Sequence, residues 1–275
     1  MIISRTIASL NEARSSVEGT KKVGFVATMG ALHSGHLSLI AQAKKECDFV
    51  VVSVFVNPTQ FHAGEDFDRY PRKEEADIVL CRAAGVDLLF LPTADELYKD
   101  DEPRVLAPAI AAHILEGAVR EGHFDGVLTI VLKLLLLIAP QKAYFGKKDA
   151  QQIVLISKMV KSFFLSVEIV PCETMRESSG LALSSRNAYL LVSEKIEAEK
   201  LSKSLFEASK LVKQNQTNSM AIIEAIGKVL EPLTVDYIAV VDRKLNPRET
   251  IAKDDTIVLI AARVGAVRLI DNMWI

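Results

Sequence analysis

Short uninterrupted apolar runs alternate with amphipathic segments along the first two thirds of the chain. The runs lie at residues 23–28, 49–56 and 86–91, and shorter ones follow at 143–145 and 167–170. Each run is continuous rather than alternating in polarity, which is typical of a strand buried on both faces of a parallel sheet. The run at 49–56 could bury either the core or an interface between chains.

Helical patterns separate these runs. Apolar residues recur at helical spacing in 35–46 and in 72–84, where Gly85 marks the end, and a further helix is predicted over 149–163. This succession of strand, helix and strand predicts an α/β fold built on a Rossmann-like, doubly wound parallel sheet.

The pattern changes from about residue 173. A loop rich in Ser and Gly at 177–185 is followed by two amphipathic helices and three short strand-like runs. The helices are predicted at 193–213 and 218–230, and the strands at 235–241, 256–262 and 266–270. We therefore expect a Rossmann-like catalytic domain at 1–174 and a smaller C-terminal α+β domain at 175–275.

Composition and charge narrow the setting of the protein. The 275 residues are 49% hydrophobic and 25% charged with a net charge of -2, which argues against a nucleic-acid or membrane-surface partner. Cys47, Cys81 and Cys172 lack metal-ligand spacing and suggest a reducing compartment. The longest apolar stretch, 127–139, is too short to cross a bilayer and predicts a buried helix. Because the N-terminus also lacks a signal-peptide pattern, we expect a cytoplasmic protein.

The junction after the first long run carries candidate chemistry. Residues 28–36 read TMGALHSGH, a strand followed by a glycine turn and a helix start, where backbone N–H groups can bind an anion. His33 and His36 share a face of the first helical turn and can donate hydrogen bonds to phosphate oxygens. Gly35 allows a triphosphate to approach the backbone. The alternatives are two incidental histidines in a turn, or a metal-binding pair.

This junction resembles the HIGH signature of the nucleotidyltransferase superfamily. That superfamily has a second, KMSKS-like signature downstream, which residues 183–187 (LSSRN) resemble. Loops of this kind close over a triphosphate with hydroxyl groups and a guanidinium on its oxygens. The two motifs together indicate an enzyme that binds ATP.

The resemblance narrows to the pantothenate synthetase family. Segments similar to that family follow in order over nearly the whole chain: 28–36, 55–61, 65–72, 115–117, 122–127, 144–152, 176–190 and 266–272. The resemblance implies ATP-dependent condensation of pantoate with β-alanine through a pantoyl-adenylate, releasing AMP and pyrophosphate. It also implies Mg²⁺ as a cofactor and a homodimer.

The family's roles carry over by position. The resemblance implies that His36 is the proton donor and that His33 binds phosphate beside it. The chemistry of lysine suits Lys148 to a phosphate, as a point charge that neutralises the leaving pyrophosphate. The resemblance implies ATP contacts for Met29, Gly30, His33, Gly35, His36, Gly146, Lys148, Asp149, Met175, Leu183, Ser184, Ser185 and Arg186. It implies substrate contacts for Gln60, Gln152, Asn57 and Arg120, with Gln60 also near β-alanine.

The residue types suit this chemistry, although each has a structural alternative. Neutral amides at Gln60 and Gln152 can orient a carboxylate without trapping its nucleophilic oxygen in an ion pair. Asn57 and Gln60 could instead fix a turn beside a proline, and Gln152 could be a surface helix residue. Lys148 and its neighbour Asp149 could be a charge pair at a helix start, with Asp149 as the cap.

The metal and the departures from the family remain open at this point. Mg²⁺ takes few protein ligands, and Asp77 is the candidate among them. The family usually has proline at Ala27 and an acidic residue at Lys147 and Ser179. Two other functions compete with the ligase: another adenylyltransferase of the superfamily, and a nucleotide-binding regulator without catalysis.

Overall fold

The computed structural model describes residues 1–17, 19–62 and 64–275. The chain forms two compact units. The first comprises Met1–Gly146 and Gln151–Cys172, and the second Lys147–Ala150 and Glu173–Ile275. The expected boundary after residue 174 lies two residues from this division, and the assignment of residues 147–150 to the second unit was not predicted.

The first unit is a parallel sheet with helices between its strands. Its sheet contains six strands in the order β1-β4-β3-β2-β5-β6, and every neighbouring pair is parallel. The predicted α/β fold is therefore confirmed. In chain order the elements are β1 (Ile2–Ser4), α1 (Ile7–Ser15), β2 (Val23–Thr28), α2 (Ser34–Glu46), β3 (Phe49–Val54), α3 (Glu74–Ala83), β4 (Leu88–Phe90), α4 (Ala94–Leu97), α5 (Glu116–Val119), α6 (His123–Ile138), β5 (Lys142–Gly146), α7 (Ala150–Ser162) and β6 (Glu168–Cys172).

The strand order creates a switch point at the centre of the sheet. β2 pairs with β3 on one side and with β5 on the other, so the chain leaves the carboxyl ends of β2 and β5 in opposite directions. In open α/β sheets a crevice for ligands forms outside the strand ends at such a point. The TMGALHSGH junction begins at the end of β2.

The apolar runs form the core of this unit. Val50, Val51 and Val52 of β3 are 0% exposed, and β3 has a neighbouring strand on each side. This run therefore buries the core of the chain rather than an interface. Residues 127–138 of the predicted apolar helix lie in α6, most of whose side chains are buried, and α6 begins four residues before the apolar stretch. Among the residues described, no helix is both long and apolar enough to span a membrane.

The second unit contains two helices and an antiparallel sheet. Its elements are α8 (Val192–Lys213), α9 (Ser219–Leu230), β7 (Thr234–Asp242), β8 (Thr256–Val264) and β9 (Val267–Trp274). The sheet order is β7-β8-β9, and apolar faces of both helices and the sheet form one core. The predicted α+β character is confirmed, but β9 runs four residues beyond the predicted strand.

Candidate active site

A tight turn joins β2 to α2. Thr28 Oγ1 donates to the carbonyl of Ser53 at 2.8 Å and accepts from Gly30 N at 3.2 Å. Gly30 has a φ of +85°, and a Cβ there would lie 2.9 Å from Asp77 Oδ2. Both the backbone angle and the close approach require glycine, since a side chain would strain the turn.

The side chain of Asp77, in α3, fixes the backbone of this turn through hydrogen bonds. It is buried, and its two carboxylate oxygens accept from the backbone N–H groups of Ala31 at 3.0 Å and Leu32 at 2.8 Å. Burial raises the pKa of the Asp77 carboxyl, while the two backbone hydrogen bonds act in the opposite direction. Asp77 therefore has a structural role in the turn, and its role as a metal ligand stays a prediction.

The two histidines of the motif form a capping box at the start of α2. His33 is the N-cap, and its Nδ1 accepts from Gly35 N at 3.1 Å. His36 Nδ1 accepts from His33 N at 3.3 Å, and the ring centroids lie 4.1 Å apart. When Nδ1 accepts, a neutral imidazole carries its proton on Nε2. Both rings are therefore fixed as Nε2–H donors on the same face of the first helical turn.

A buried amide network follows β3. Asn57 Nδ2 donates to Gln60 Oε1 at 3.0 Å and to the carbonyl of Gly126 at 3.2 Å, while its Oδ1 accepts from Tyr98 Oη at 2.7 Å. Asn57 also caps the short 3₁₀ turn Pro58–Gln60. The turn-fixing interpretation therefore describes Asn57 in this structure. Its contact with pantoate stays a prediction.

Gln60 connects this network to the β2–α2 junction. Its side-chain nitrogen Nε2 lies 3.0 Å from Met29 Sδ, so two predicted site residues from different strand ends are in contact. A Cβ on Gly126 would lie 2.2 Å from the carbonyl oxygen of Thr59. Glycine at this position of α6 therefore lets the helix pack directly against the backbone that carries Gln60.

Arg120 is held by neighbouring side chains. Its guanidinium donates to both oxygens of Glu65 at 2.7 Å, and its Nη1 lies 2.9 Å from His123 Nε2. Burial opposes ionisation of Glu65, but Arg120 lowers the pKa of this carboxyl overall. These partners hold Arg120 in an ion pair, and its predicted contact near pantoate and the phosphates is untested.

His123 is the residue of this network that sequence reasoning missed. It is buried, and its Nδ1 lies 2.7 Å from the carbonyl oxygen of Gln60. Because a carbonyl only accepts, Nδ1 carries the proton and Nε2 accepts from Arg120. Burial and the neighbouring Arg120 charge lower the pKa of His123 to about 4. Its place in the motif at 122–127 was the available signal, but no sequence spacing links it to Gln60.

A cavity with a mixed polar and apolar lining lies beside the Gln60 segment. Its volume is about 320 Å³. Its polar lining residues include Thr59, Gln60, His62, Arg104, His123 and Asp125.

The two adjacent glutamines of α7 have different surroundings. Gln151 is buried, accepts from Glu116 N at 3.0 Å and donates to the carbonyls of Ala111 and Ile114. Gln151 therefore fixes the segment before α5. Gln152, the predicted substrate contact, is half-buried on the same helix.

Gly146 ends β5, and a Cβ built there would have no heavy atom of the described residues within 4 Å. The following residues belong to the second unit, where Lys148 Nζ lies 3.9 Å from Asp149 Oδ1. Lys147 forms an ion pair with Glu173 and lies over the Trp274 ring. The additional charge at Lys147 is thus neutralised within this unit.

The KMSKS-like loop forms a compact turn in the second unit. Leu183 N donates to the carbonyl of Met175 at 2.9 Å, and Ser184 Oγ accepts from Arg186 N at 3.3 Å to cap the 3₁₀ turn Ser185–Tyr189. Because the Ser184 oxygen accepts the capping hydrogen bond, the hydroxyl proton of Ser184 points away from the Arg186 nitrogen. Of the predicted residues 183–186, Ser184 caps this 3₁₀ turn, Ser185 and Arg186 begin it, and Leu183 directly precedes the cap.

Comparison with known proteins gives a consistent result over the full length. The family profile described as pantoate-beta-alanine ligase matches residues 2–274. Pantothenate synthetase of Campylobacter fetus subsp. fetus is 53% identical over 100% of both chains. That of Wolinella succinogenes is 55% identical over 98% of this chain and 97% of its own.

Solved structures agree with these relatives. Pantothenate synthetase from Thermus thermophilus is 42% identical with a TM-score of 0.94, covering 100% of this chain and 99% of its own. Pantoate-beta-alanine ligase from Francisella tularensis, complexed with beta-gamma ATP and beta-alanine, is 38% identical with a TM-score of 0.81 and covers 100% and 97%.

Proposed function

The chain belongs to the pantoate–β-alanine ligase family, and from this premise we propose that its β2–α2 junction activates pantoate with ATP. The chain binds ATP and catalyses the ATP-dependent condensation of pantoate with β-alanine to pantothenate. The observation that supports the proposed site is the histidine pair, whose Nδ1 atoms accept backbone hydrogen bonds and whose Nε2–H groups are thereby set as donors.

In the first step, a carboxylate oxygen of pantoate attacks the α-phosphorus of ATP. The bond between the α-phosphorus and the bridging oxygen breaks, and pyrophosphate leaves with that bond's electrons. Negative charge therefore grows on the phosphate oxygens in the transition state. His33 and His36 donate hydrogen bonds to these oxygens, and preorganised donors of this kind are a major source of rate enhancement.

In the second step, the amine of β-alanine attacks the acyl carbon of the pantoyl-adenylate. The bond between that carbon and the phosphate oxygen breaks, AMP leaves, and the nitrogen loses its proton to form the amide. No covalent bond to the protein is needed, so catalysis rests on positioning and electrostatics.

Gln60 and Gln152 orient pantoate in this proposal. Their amides hydrogen-bond its hydroxyl and carboxylate groups without a full charge, which leaves one carboxylate oxygen nucleophilic. Support for Gln60 comes from the contact with Met29, from the Asn57 hydrogen bond that fixes its side chain, and from the His123 hydrogen bond that fixes its backbone. Asn57 and Arg120 contribute to the same substrate site in this proposal.

The remaining ATP contacts are proposed for residues of the second unit. Lys148 is a point charge for the leaving pyrophosphate, and Arg186 with the hydroxyl groups of Ser184 and Ser185 binds phosphate oxygens. Asp149 and the backbone at Gly146 hold the ribose, and Met175 and Leu183 complete the nucleotide contacts.

Mg²⁺ is proposed to bind with the nucleotide. Within the described residues, no group of three or more His, Cys, Asp or Glu side chains is arranged to hold a metal ion. Asp77 uses both of its carboxylate oxygens on backbone N–H groups. The described side chains therefore fit an ion that is held mainly by phosphate oxygens and water, as Mg²⁺ commonly is. When bound, it offsets phosphate charge.

We also propose that the protein is a cytoplasmic homodimer. Support for the dimer comes from two large apolar side chains on the segment between α4 and α5, Leu106 and Ile110, which are 77% and 83% exposed. Large contiguous apolar patches on a protein surface mark interaction sites, and in this proposal both side chains belong to one such patch.

The proposal is tested by measuring pyrophosphate release from ATP and Mg²⁺ with pantoate, with and without β-alanine, and by mass analysis of the products. We expect a burst of about one pyrophosphate per site without β-alanine, and continuous turnover to AMP and pantothenate with it. His36→Ala and Lys148→Ala should each slow the burst on the order of a hundredfold or more. His113→Ala, at an exposed histidine of the first unit, is the matched control.

Two outcomes contradict these assignments. Near-native bursts in both variants would remove His36 and Lys148 from the chemistry. AMP retained on another acceptor would favour an adenylyltransferase, and ATP binding without pyrophosphate release would favour a regulator.

A further inference from the structure

Two adjacent polar residues are buried near the end of β9. Asp271 is 2% exposed and Asn272 is 4% exposed, in a strand whose other core residues are apolar. Both belong to the segment 266–272 that resembles the family, and the reaction described above uses neither. Buried polar side chains cost free energy unless they are hydrogen-bonded, so their partners indicate their purpose.

The partners of Asn272 are two consecutive peptide carbonyls. Its Nδ2 donates to the carbonyl oxygen of Lys147 at 2.9 Å and to that of Lys148 at 2.7 Å. Two acceptors fix the orientation of the amide, because the opposite orientation would place Oδ1 against both carbonyl oxygens. Within the described residues Asn272 Oδ1 has no hydrogen-bond partner. The side chain is thus used for its two N–H donors.

Neighbouring residues brace this contact. The indole nitrogen of Trp274 donates to the same Lys147 carbonyl at 3.3 Å. Asp271 Oδ1 accepts from the backbone nitrogen of Asn272 at 2.8 Å, and the Asp271 carboxylate also receives a two-pronged hydrogen bond from Arg176 at 2.6 and 2.9 Å. A bidentate pair of this kind fixes both direction and distance.

We propose that Asn272 is a positioning residue for Lys148 and acts by holding the peptide groups on both sides of the Lys148 α-carbon. The carbonyls of Lys147 and Lys148 lie on either side of that atom, so fixing them fixes the direction in which the side chain leaves the backbone. The proposal rests on the proposed role of Lys148 at the leaving pyrophosphate. Asn272 itself does not need to touch ATP.

We expect loss of the Asn272 hydrogen bonds to slow the chemical step in which pyrophosphate leaves. A displaced ammonium stabilises developing charge less well, and a misplacement of about 1 Å can cost on the order of a hundredfold in rate. Pantoate binding is assigned to Gln60 and Gln152, so the KM for pantoate should not change.

Asn272→Asp is the sharpest test, because it keeps the shape of the side chain and replaces the donor with an acceptor. We expect the first-turnover rate of pyrophosphate release in the full-length protein to fall at least tenfold, with an unchanged KM for pantoate. Asn218→Asp is the matched control. Asn218 caps α9 through Oδ1, which accepts from Ala221 N at 3.0 Å, and a carboxylate can accept the same bond.

A double-mutant cycle separates positioning from a general structural role. If Asn272 acts through Lys148, Asn272→Asp combined with Lys148→Ala should be no slower than Lys148→Ala alone. If the two losses multiply, or if Asn272→Asp releases pyrophosphate at the native rate, the proposal is wrong. Should Asn272→Asp fail to fold, Asn272→Ala removes both bonds without adding charge and enters the same cycle.

The cycle also separates the proposed role of Lys148 from the proposed positioning role of Asn272. A native rate in Lys148→Ala overturns the proposed role of Lys148, and the positioning role of Asn272 with it. A slow Lys148→Ala beside a native Asn272→Asp overturns the positioning role alone.

Discussion

The proton of a neutral imidazole lies on different nitrogens in the histidines of the first unit. His33 and His36 accept backbone hydrogen bonds at Nδ1 and are donors at Nε2. His123 donates from Nδ1 to the Gln60 carbonyl and accepts from Arg120 at Nε2. In the proposed site, the Nε2–H groups of the first two donate to phosphate oxygens. The ring of His123 is buried between the Gln60 carbonyl and the Arg120 guanidinium. Only a neutral imidazole can donate to the first and accept from the second.

The pH dependence of stability should report this neutral ring. The folded-state pKa of His123 is about 4 and the unfolded value about 6.5, so the folded state resists protonation. The contribution of His123 to the free energy of unfolding is fully present above pH 6.5, and it is lost as the pH falls from about 6.5 to 4. Since one pKa unit corresponds to about 1.4 kcal/mol, the loss approaches about 3 kcal/mol.

The measurement compares denaturant unfolding of the native protein and His123→Asn over this pH range. Asparagine retains a donor for the Gln60 carbonyl and does not titrate, so its stability should fall less steeply with acidification. Equal slopes in both proteins would show that His123 is not held neutral. Carboxylates contribute to acid unfolding of both proteins, and the difference between them isolates the histidine.

Some features of the candidate site could be predicted from the sequence, and others could not. The histidine pair could be found because its two members are three residues apart on one helix. The substrate contacts of Asn57 and Arg120 stay predictions, and the structure adds intramolecular contacts of both residues that the sequence did not reveal. Their partners, Gly126 and Glu65, are 69 and 55 residues away, and no local pattern encodes such pairs.

At the scale of elements, α2 begins with an unusual cap. Asn, Asp, Ser and Thr are the preferred N-caps, yet His33 fills this position through Nδ1. One side chain therefore has a structural task at Nδ1 and a proposed chemical task at Nε2.

Two substitutions should separate these tasks. His33→Asn keeps an acceptor for the backbone and should leave the free energy of unfolding within about 0.5 kcal/mol of native, whereas His33→Ala should lose about 1 kcal/mol. Both remove the imidazole and should slow pyrophosphate release alike. Denaturant unfolding and the burst assay measure the two effects on the same samples. A native burst in His33→Asn would assign His33 to capping alone.

Element prediction succeeded where burial was strong. Continuous apolar runs identified β2 to β6, and periodic patterns located α2, α3 and α7 to within about two residues at most ends. β1 and α1 were not predicted. β1 is three residues long with two of them exposed, and its pairing with β4 depends on residues 86 positions away. A short strand of this kind is defined by its neighbour in the sheet rather than by its own pattern.

At the scale of the molecule, the chain passes between the units three times: after Gly146, after Ala150 and after Cys172. The sequence indicated only the last of these, because the change of pattern near residue 173 is long and the excursion at Lys147–Ala150 is four residues. Nothing in the polarity of so short a segment distinguishes it from the start of α7.

The proposed homodimer gives a prediction at this scale. Ile110→Glu places a charge where an apolar surface would be buried, so it should yield monomers in light scattering at concentrations where the native protein is dimeric. Val79→Glu is the control, since Val79 is also a large exposed apolar residue and lies on α3. Native monomers, or dimers in Ile110→Glu, would contradict the assignment of this surface.

The contact from Asn272 to the backbone at residues 147 and 148 has a consequence for which positions tolerate substitution. Every amino acid carries a peptide carbonyl, so a contact that recognises only carbonyls is indifferent to the side chain that accompanies them. The side chain at position 147 can therefore be exchanged without loss of the two hydrogen bonds that hold the backbone on either side of the Lys148 α-carbon. At position 272, by contrast, the side chain itself makes both hydrogen bonds, so a substitution there removes them even though it lies more than 120 positions downstream.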